Sequence, residues 1–109
     1  MKRGKLRERY LRDEWPRQVG NLASTLSRLS TRAADTRFDG MVSDLIREGA
    51  VLMEWSAPHV PLDLAVELAR MQRELVLWHR VWPNDAIRQL LALRTREMAD
   101  TLLERAGLV

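Results

Sequence analysis

The residues with which this chain would hold a metal or move a proton are few. They are its two histidines, His59 and His79, and the acids Glu54 and Asp63 that flank the first of them. Di-metal helical bundles take their ligands from Glu-x-x-His pairs that project from one helix face, and no such pair occurs in this sequence. Glu54 precedes His59 across a helix end and Asp63 follows it, a spacing that suits a loop histidine better than a ligand set. His79 lies on a helix flank beside Trp78. Nucleophilic chemistry is equally unsupported. Ser24, Thr25, Ser27, Ser30 and Thr31 crowd one segment, but a catalytic hydroxyl needs a base and a sharp exposing turn, and there is no Gly-x-Ser-x-Gly. Their hydroxyls can bond back to helix carbonyls instead. No glycine-rich phosphate loop is present. Without cysteine the chain has no thiolate metal site, disulfide or sulfur nucleophile. The expectation is a protein that is not an enzyme and carries no cofactor; a metal or small-ligand binder using His59 and His79 is the least favoured alternative.

The stretch Leu77–Pro83, LWHRVWP, holds half of the four tryptophans. Trp78 and Trp82 fall four residues apart on one helix face, where they would fill the end of a core with each indole N–H finding a carbonyl or water. A stacking platform would need them exposed. An interface is the remaining reading, since Trp and Arg are enriched where binding energy concentrates. The candidate interaction residues are therefore Trp15, Trp78 and Trp82, together with Asn21, Ser24 and Ser27 on an uncharged small-residue face.

Charge is unevenly placed. The net charge is +3, yet residues 1–17 hold seven basic and three acidic side chains, so the rest is nearly neutral. Lys2, Arg3, Lys5, Arg7, Arg9 and Arg12 form a basic N-terminal arm able to meet phosphates, with salt-sensitive, sequence-independent affinity. No helix carries a basic stripe and no turn suggests a recognition helix, so nucleic acid is only a secondary expectation. Sixteen of the eighteen basic residues are arginine, a bias that a GC-rich genome also produces. The start, MKRGKLRERY, lacks the apolar run of a secretory leader, and no window approaches the roughly 18 apolar residues of a membrane span. A cytoplasmic protein is expected.

The elements that must position these residues follow from period and punctuation. Trp15, Val19, Leu22, Leu26, Leu29 and Ala33 recur at alternating spacings of four and three, the seam of a helix over about 16–34. Pro16 suits its first turn. A second helix is expected over about 38–55, opened by a capping box of Thr36 and Asp39. Phe38, Met41, Val42, Leu45, Ile46, Leu52, Met53 and Trp55 form its apolar side. Gly40 and Gly49 within it point to the close approach of a neighbour. Leu64, Leu68, Met71, Leu75, Trp78 and Trp82 repeat the same spacing in a third helix that starts near Leu62, with Ala65, Val66 and Ala69 widening its stripe. A fourth helix over about 85–106 has Asn84 as N-cap, a stripe of Ile87, Leu90, Leu91, Met98, Leu102 and Leu103, and Gly107 as its C-terminal cap. Equal lengths and short connections imply an all-α fold, an antiparallel up-down four-helix bundle spanning residues 15–109, preceded by the arm of residues 1–14. Leu6 with Tyr10 and Leu11 with Trp15 sit at helical spacing, so the arm has the pattern of a short helix.

At Asn21–Ser30 (NLASTLSRLS) and Met53–Pro58 (MEWSAP) the chain resembles a family of small uncharacterised proteins from cyanobacteria, with the likeness running from about Val19 to the C-terminal RAGLV. The resemblance implies a cytosolic helical protein and transfers no activity or catalytic residue. The expected function is a non-enzymatic protein–protein interaction or assembly module, with a homodimer as one form.

Overall fold

Pro16 does open a long helix. In the computed structural model, which describes residues 3–109, it occupies the first turn of α2 (Trp15–Ala33). Three more long helices follow: α3 (Asp39–Ser56), α4 (Leu62–Val81) and α5 (Arg88–Arg105). Before them α1 (Arg3–Arg12) continues the basic N-terminal residues as a short helix. The protein is all-helical, with no strand among the described residues.

The connections are tighter than their sequences suggest. A single 3-10 turn lies in each connection between the long helices: Thr36–Phe38 before α3, Ala57–His59 after it, and Asp85–Ile87 before α5. The first is capped by Asp35, not Thr36; its carboxylate accepts the Arg37 backbone N–H at 2.9 Å. Aspartate one residue earlier reaches a 3-10 amide, whereas Thr36 is already inside the turn. Asn84 caps as expected, accepting the Ala86 N–H at 2.9 Å. Gly107 ends α5 with φ of 73°, a left-handed conformation that glycine adopts without penalty. Its N–H bonds the Glu104 carbonyl while the Leu108 N–H bonds that of Leu103, the paired bonds of a Schellman motif.

The inner seams form one core. Val19, Leu22, Leu26 and Leu29 of α2 are buried with Val42, Ile46 and Met53 of α3, Leu64, Leu68 and Leu75 of α4, and Leu91, Met98 and Leu102 of α5. Gly49 works as its position implies: a Cβ there would stand 3.1 Å from a Leu75 methyl and 3.4 Å from one of Leu26. A Cβ on Gly40 would meet no other side chain or helix within 4 Å, so it serves no such contact; it lies at the exposed start of α3. Leu90 and Met41, expected in the buried stripes, are exposed, because Leu91 and Val42 beside them take the inward positions.

The packing is unequal around the core. α2 lies closely against both α3 and α5, and α3 against α4, whereas α4 and α5 meet only sparsely. On the close side Ser30 of α2 donates its hydroxyl to the Ala92 carbonyl of α5 at 2.6 Å. A side chain this short reaches another helix's backbone only when the two axes are near the lower end of ordinary helix separations. α1 is attached through Tyr10, which is buried against Trp55 with ring centroids 5.9 Å apart. The Tyr10 hydroxyl donates to the Gln18 carbonyl at 2.8 Å and is paired with the Ser56 hydroxyl. Burial is the main cause that pushes the Tyr10 hydroxyl up to about 12, since it disfavours the phenolate.

Candidate interaction surface

One guanidinium fixes the end of the molecule from which the open α4–α5 side departs. Arg88, the first residue of α5, is buried. It donates to the Ala33 carbonyl that ends α2 at 3.0 Å, to Asp39 at the start of α3 at 2.7 Å and to Asp85 at 2.7 Å. Its plane lies 4.8 Å from the ring centre of Trp82, just past the end of α4. A buried cation is tolerable only when paired, and here two carboxylates and a carbonyl surround it. The hydrogen bonds to Asp39, then those to Asp85, hold its ionisation above the ordinary arginine value. The Trp82 indole donates to the Asp39 carbonyl at 3.0 Å, so Trp82 is a packed part of this knot.

Away from the knot α4 and α5 are bridged by long charged side chains instead of interlocking apolar ones. Glu74 accepts from Arg94 at 2.7 and 2.8 Å and from the Trp78 indole at 3.1 Å. Arg94, and secondarily Trp78, hold the Glu74 carboxyl below its ordinary value, against the opposing effect of burial. Nearer the other end Arg105 of α5 binds Asp63 of α4. Between the Glu74–Arg94 bridge and the knot lies a groove of about 430 Å³ lined by Glu74, Leu77, Trp78, Val81, Leu90 and Arg94. Its apolar residues are large and open to solvent: Leu77 is 59% exposed, Val81 50% and Leu90 51%. Trp78, half-buried, forms the groove wall.

The apolar surface continues over α4 itself. Leu62, Val66, Ala69, Val76 and Leu77 are all exposed. Val66 and Ala69 do not widen the inner stripe as expected; they belong to a second stripe on the opposite face, and only Ala65 is partly covered. A helix apolar on two faces is ordinarily buried on both. Contiguous apolar surface of this kind marks an interaction site more often than isolated exposed leucines do.

The other sequence-derived candidates are spread over separate places. Asn21 and Ser24 are exposed on α2 and line a cleft with Arg12, Asp13 and Arg17 near the α1–α2 bend and Leu103 and Leu108 near the C-terminus. Ser27 and Trp15 are half-buried. Thr25 and Thr31 donate to the Asn21 and Ser27 carbonyls one turn back, as their helical setting suggests. Lys5, Arg7, Arg9 and Arg12 are exposed on α1; Lys2 and the Arg3 side chain lie outside the described residues. His59 is exposed, and His79 stands 3.3 Å from the Ser43 hydroxyl. Glu54 is exposed and Asp63 is taken by Arg105. Among the described residues no group of three or more His, Asp or Glu is placed to hold a metal ion. No helix among them is long and apolar enough to cross a membrane.

Reasoning from sequence missed Leu77, Val81 and Leu90 as surface residues and Arg88 as the knot. The signal for the first was present: α4 carries apolar residues on both sides of its 3.6-residue period, which a single core cannot cover. Comparison of the chain with protein-family models, with curated proteins and with solved structures found no match.

Proposed function

We propose that this chain is a non-enzymatic, cytoplasmic protein–protein interaction or assembly module, an antiparallel up-down helical bundle whose α4–α5 side serves as the docking face. The observation that carries the reading is the groove of Leu77, Trp78, Val81 and Leu90, continuous with the exposed outer stripe of α4. Covering such side chains contributes about 25 cal/mol per Å² of apolar surface removed from water, before the cost of association. Kinship with small helical proteins of cyanobacteria is part of the same proposal, carried by the residues of Asn21–Ser30 and Met53–Pro58, and it adds no activity.

The test is the native mass of the full-length protein, alone and after incubation in lysate of its source, compared with a Leu77→Glu/Leu90→Glu double variant. Wild type is expected to shift to a larger species and the double variant to stay at 12.7 kDa with unchanged helicity. A wild type that remains at 12.7 kDa in both conditions contradicts the reading.

A second reading, weak nucleic-acid binding, has the exposed Lys5, Arg7, Arg9 and Arg12 of α1 in its favour. Deleting the segment is a poor test, because Tyr10 would leave the core with it. Replacing the four basic residues by Gln should abolish salt-sensitive binding to generic DNA or RNA while keeping the fold; no binding by the intact chain sinks the idea.

A further inference from the structure

The charges of α4 are sorted by face. All three of its acids lie toward α5: Asp63 is bonded by Arg105, Glu74 by Arg94, and Glu67 lines the α4–α5 side beside them. Two of its three arginines, Arg73 and Arg80, are exposed and share the outer face with Leu62, Val66, Ala69, Val76 and Leu77. Arg70, also exposed, stands at the edge of that face beside Glu67. None of the three makes an ion pair among the described residues. The outer face is therefore apolar and uniformly cationic.

From this sorting, and resting on the docking face proposed above, we infer that the α4 face and its groove receive an acidic amphipathic helix of another protein, whose leucine-type stripe seats against Leu77 and Val81 while its flanking carboxylates meet Arg73 and Arg80. Charge complementarity selects the occupant. A second copy pairing the outer faces of α4 about a two-fold axis would set Arg73 and Arg80 against their own copies with no α4 acid on that outer face, a like-charge juxtaposition that disfavours the pairing. Shape selects as well. A concave groove between two helices closes around a convex helix, the helix-in-groove mode of recognition, whereas a flat bilayer would leave it unfilled. The arginines also sit within the apolar stripe, one turn from its leucine and valines, and do not form the separate polar face of a helix lying in a membrane interface. Arginine suits the role because its planar fork meets carboxylates in bidentate fashion.

The experiment uses the full-length protein and two dye-labelled synthetic helical peptides with the same leucine stripe, one flanked by Glu and the other by Lys, read by fluorescence anisotropy. The Glu peptide is expected to bind more tightly by on the order of tenfold or more, with affinity falling as salt rises. In an Arg73→Glu/Arg80→Glu variant the preference should reverse; the positions are exposed, and circular dichroism checks that the fold persists. An Arg73→Gln/Arg80→Gln variant should bind both peptides alike. Equal binding of the two peptides by wild type overturns the acidic-partner inference and leaves the docking face standing. Failure of both peptides to bind overturns inference and docking face together. Sedimentation with phosphatidylserine-containing vesicles, without discrimination between the peptides, would make the face a lipid surface and overturn the inference. So would a dimer of the free protein that Leu77→Glu dissolves.

Discussion

Helix α5 has two neighbours and treats them differently. Against α2 it presents Leu91, Thr95, Met98, Ala99 and Leu102, all buried, and comes close enough for Ser30 to reach its backbone. Against α4 it presents Arg94 and Arg105, which span the gap as ion pairs, and leaves Leu90 in water. Small residues allow axes to approach, while long charged side chains set a wider spacing and keep their heads solvated. The first seam holds α5 to the core. The second leaves Leu77, Val81 and Leu90 open to solvent.

The largest expected difference between the two seams is energetic. Leu102→Ala should cost about 2–5 kcal/mol, as for other buried leucines, while Leu90→Ala should stay within about 0.5 kcal/mol of wild type. Paired urea melts check this, and equal losses would erase the distinction. Next comes the contrast between the ion clusters. Arg88→Met removes the partner of two carboxylates and one helix-ending carbonyl, so it should lower the melting midpoint well below that of Arg94→Met. The reverse order would place the structural weight in the open seam.

A third expectation concerns the closed half of the molecule. Tyr10 titrates near 10.0 when unfolded and about 12 when folded, so the fold favours its neutral form. The stability this contributes is full below pH 10 and is lost as pH rises toward 12. The loss should be about 2–3 kcal/mol, because a tenfold difference in proton affinity between the two states corresponds to roughly 1.4 kcal/mol. Alkaline melts of wild type and Tyr10→Phe, with tyrosinate absorbance as the readout, test it. The chain has one tyrosine, so the signal is unambiguous. The smallest effect belongs to the open seam. Glu74 is held below its ordinary 4.5, so its contribution is present above that pH and is lost as acid protonates it. Because the pair is partly exposed, the loss should be within about 1 kcal/mol and should vanish in Glu74→Gln.

Much of the closed half was legible in the residue order because its signals are local. Pro16, Asn84 and Gly107 mark helix ends through their own backbone chemistry, and the alternating spacing of Leu22, Leu26 and Leu29 reports a buried face. The open half was less so. In α5 adjacent Leu90 and Leu91 both satisfy an apolar pattern, and only the position of α2 decides which turns inward. In α4 a second apolar stripe looks like breadth in the first until the neighbours are in place. Arg88 joins Ala33, Asp39 and Trp82, partners contributed by three other helix ends, and no local pattern encodes such a meeting. The candidate surface was glimpsed through Trp78 alone, while Trp82 beside it turned out to belong to the knot.

The most direct measurement is photo-crosslinking in source lysate from a benzoylphenylalanine placed at position 77 of the full-length chain, with one at position 24 as the comparison. A discrete adduct from position 77 and none from position 24 is the expected result. An adduct from position 24 alone would move the contact to the small-residue face of α2 and contradict a docking role for the open α4–α5 side.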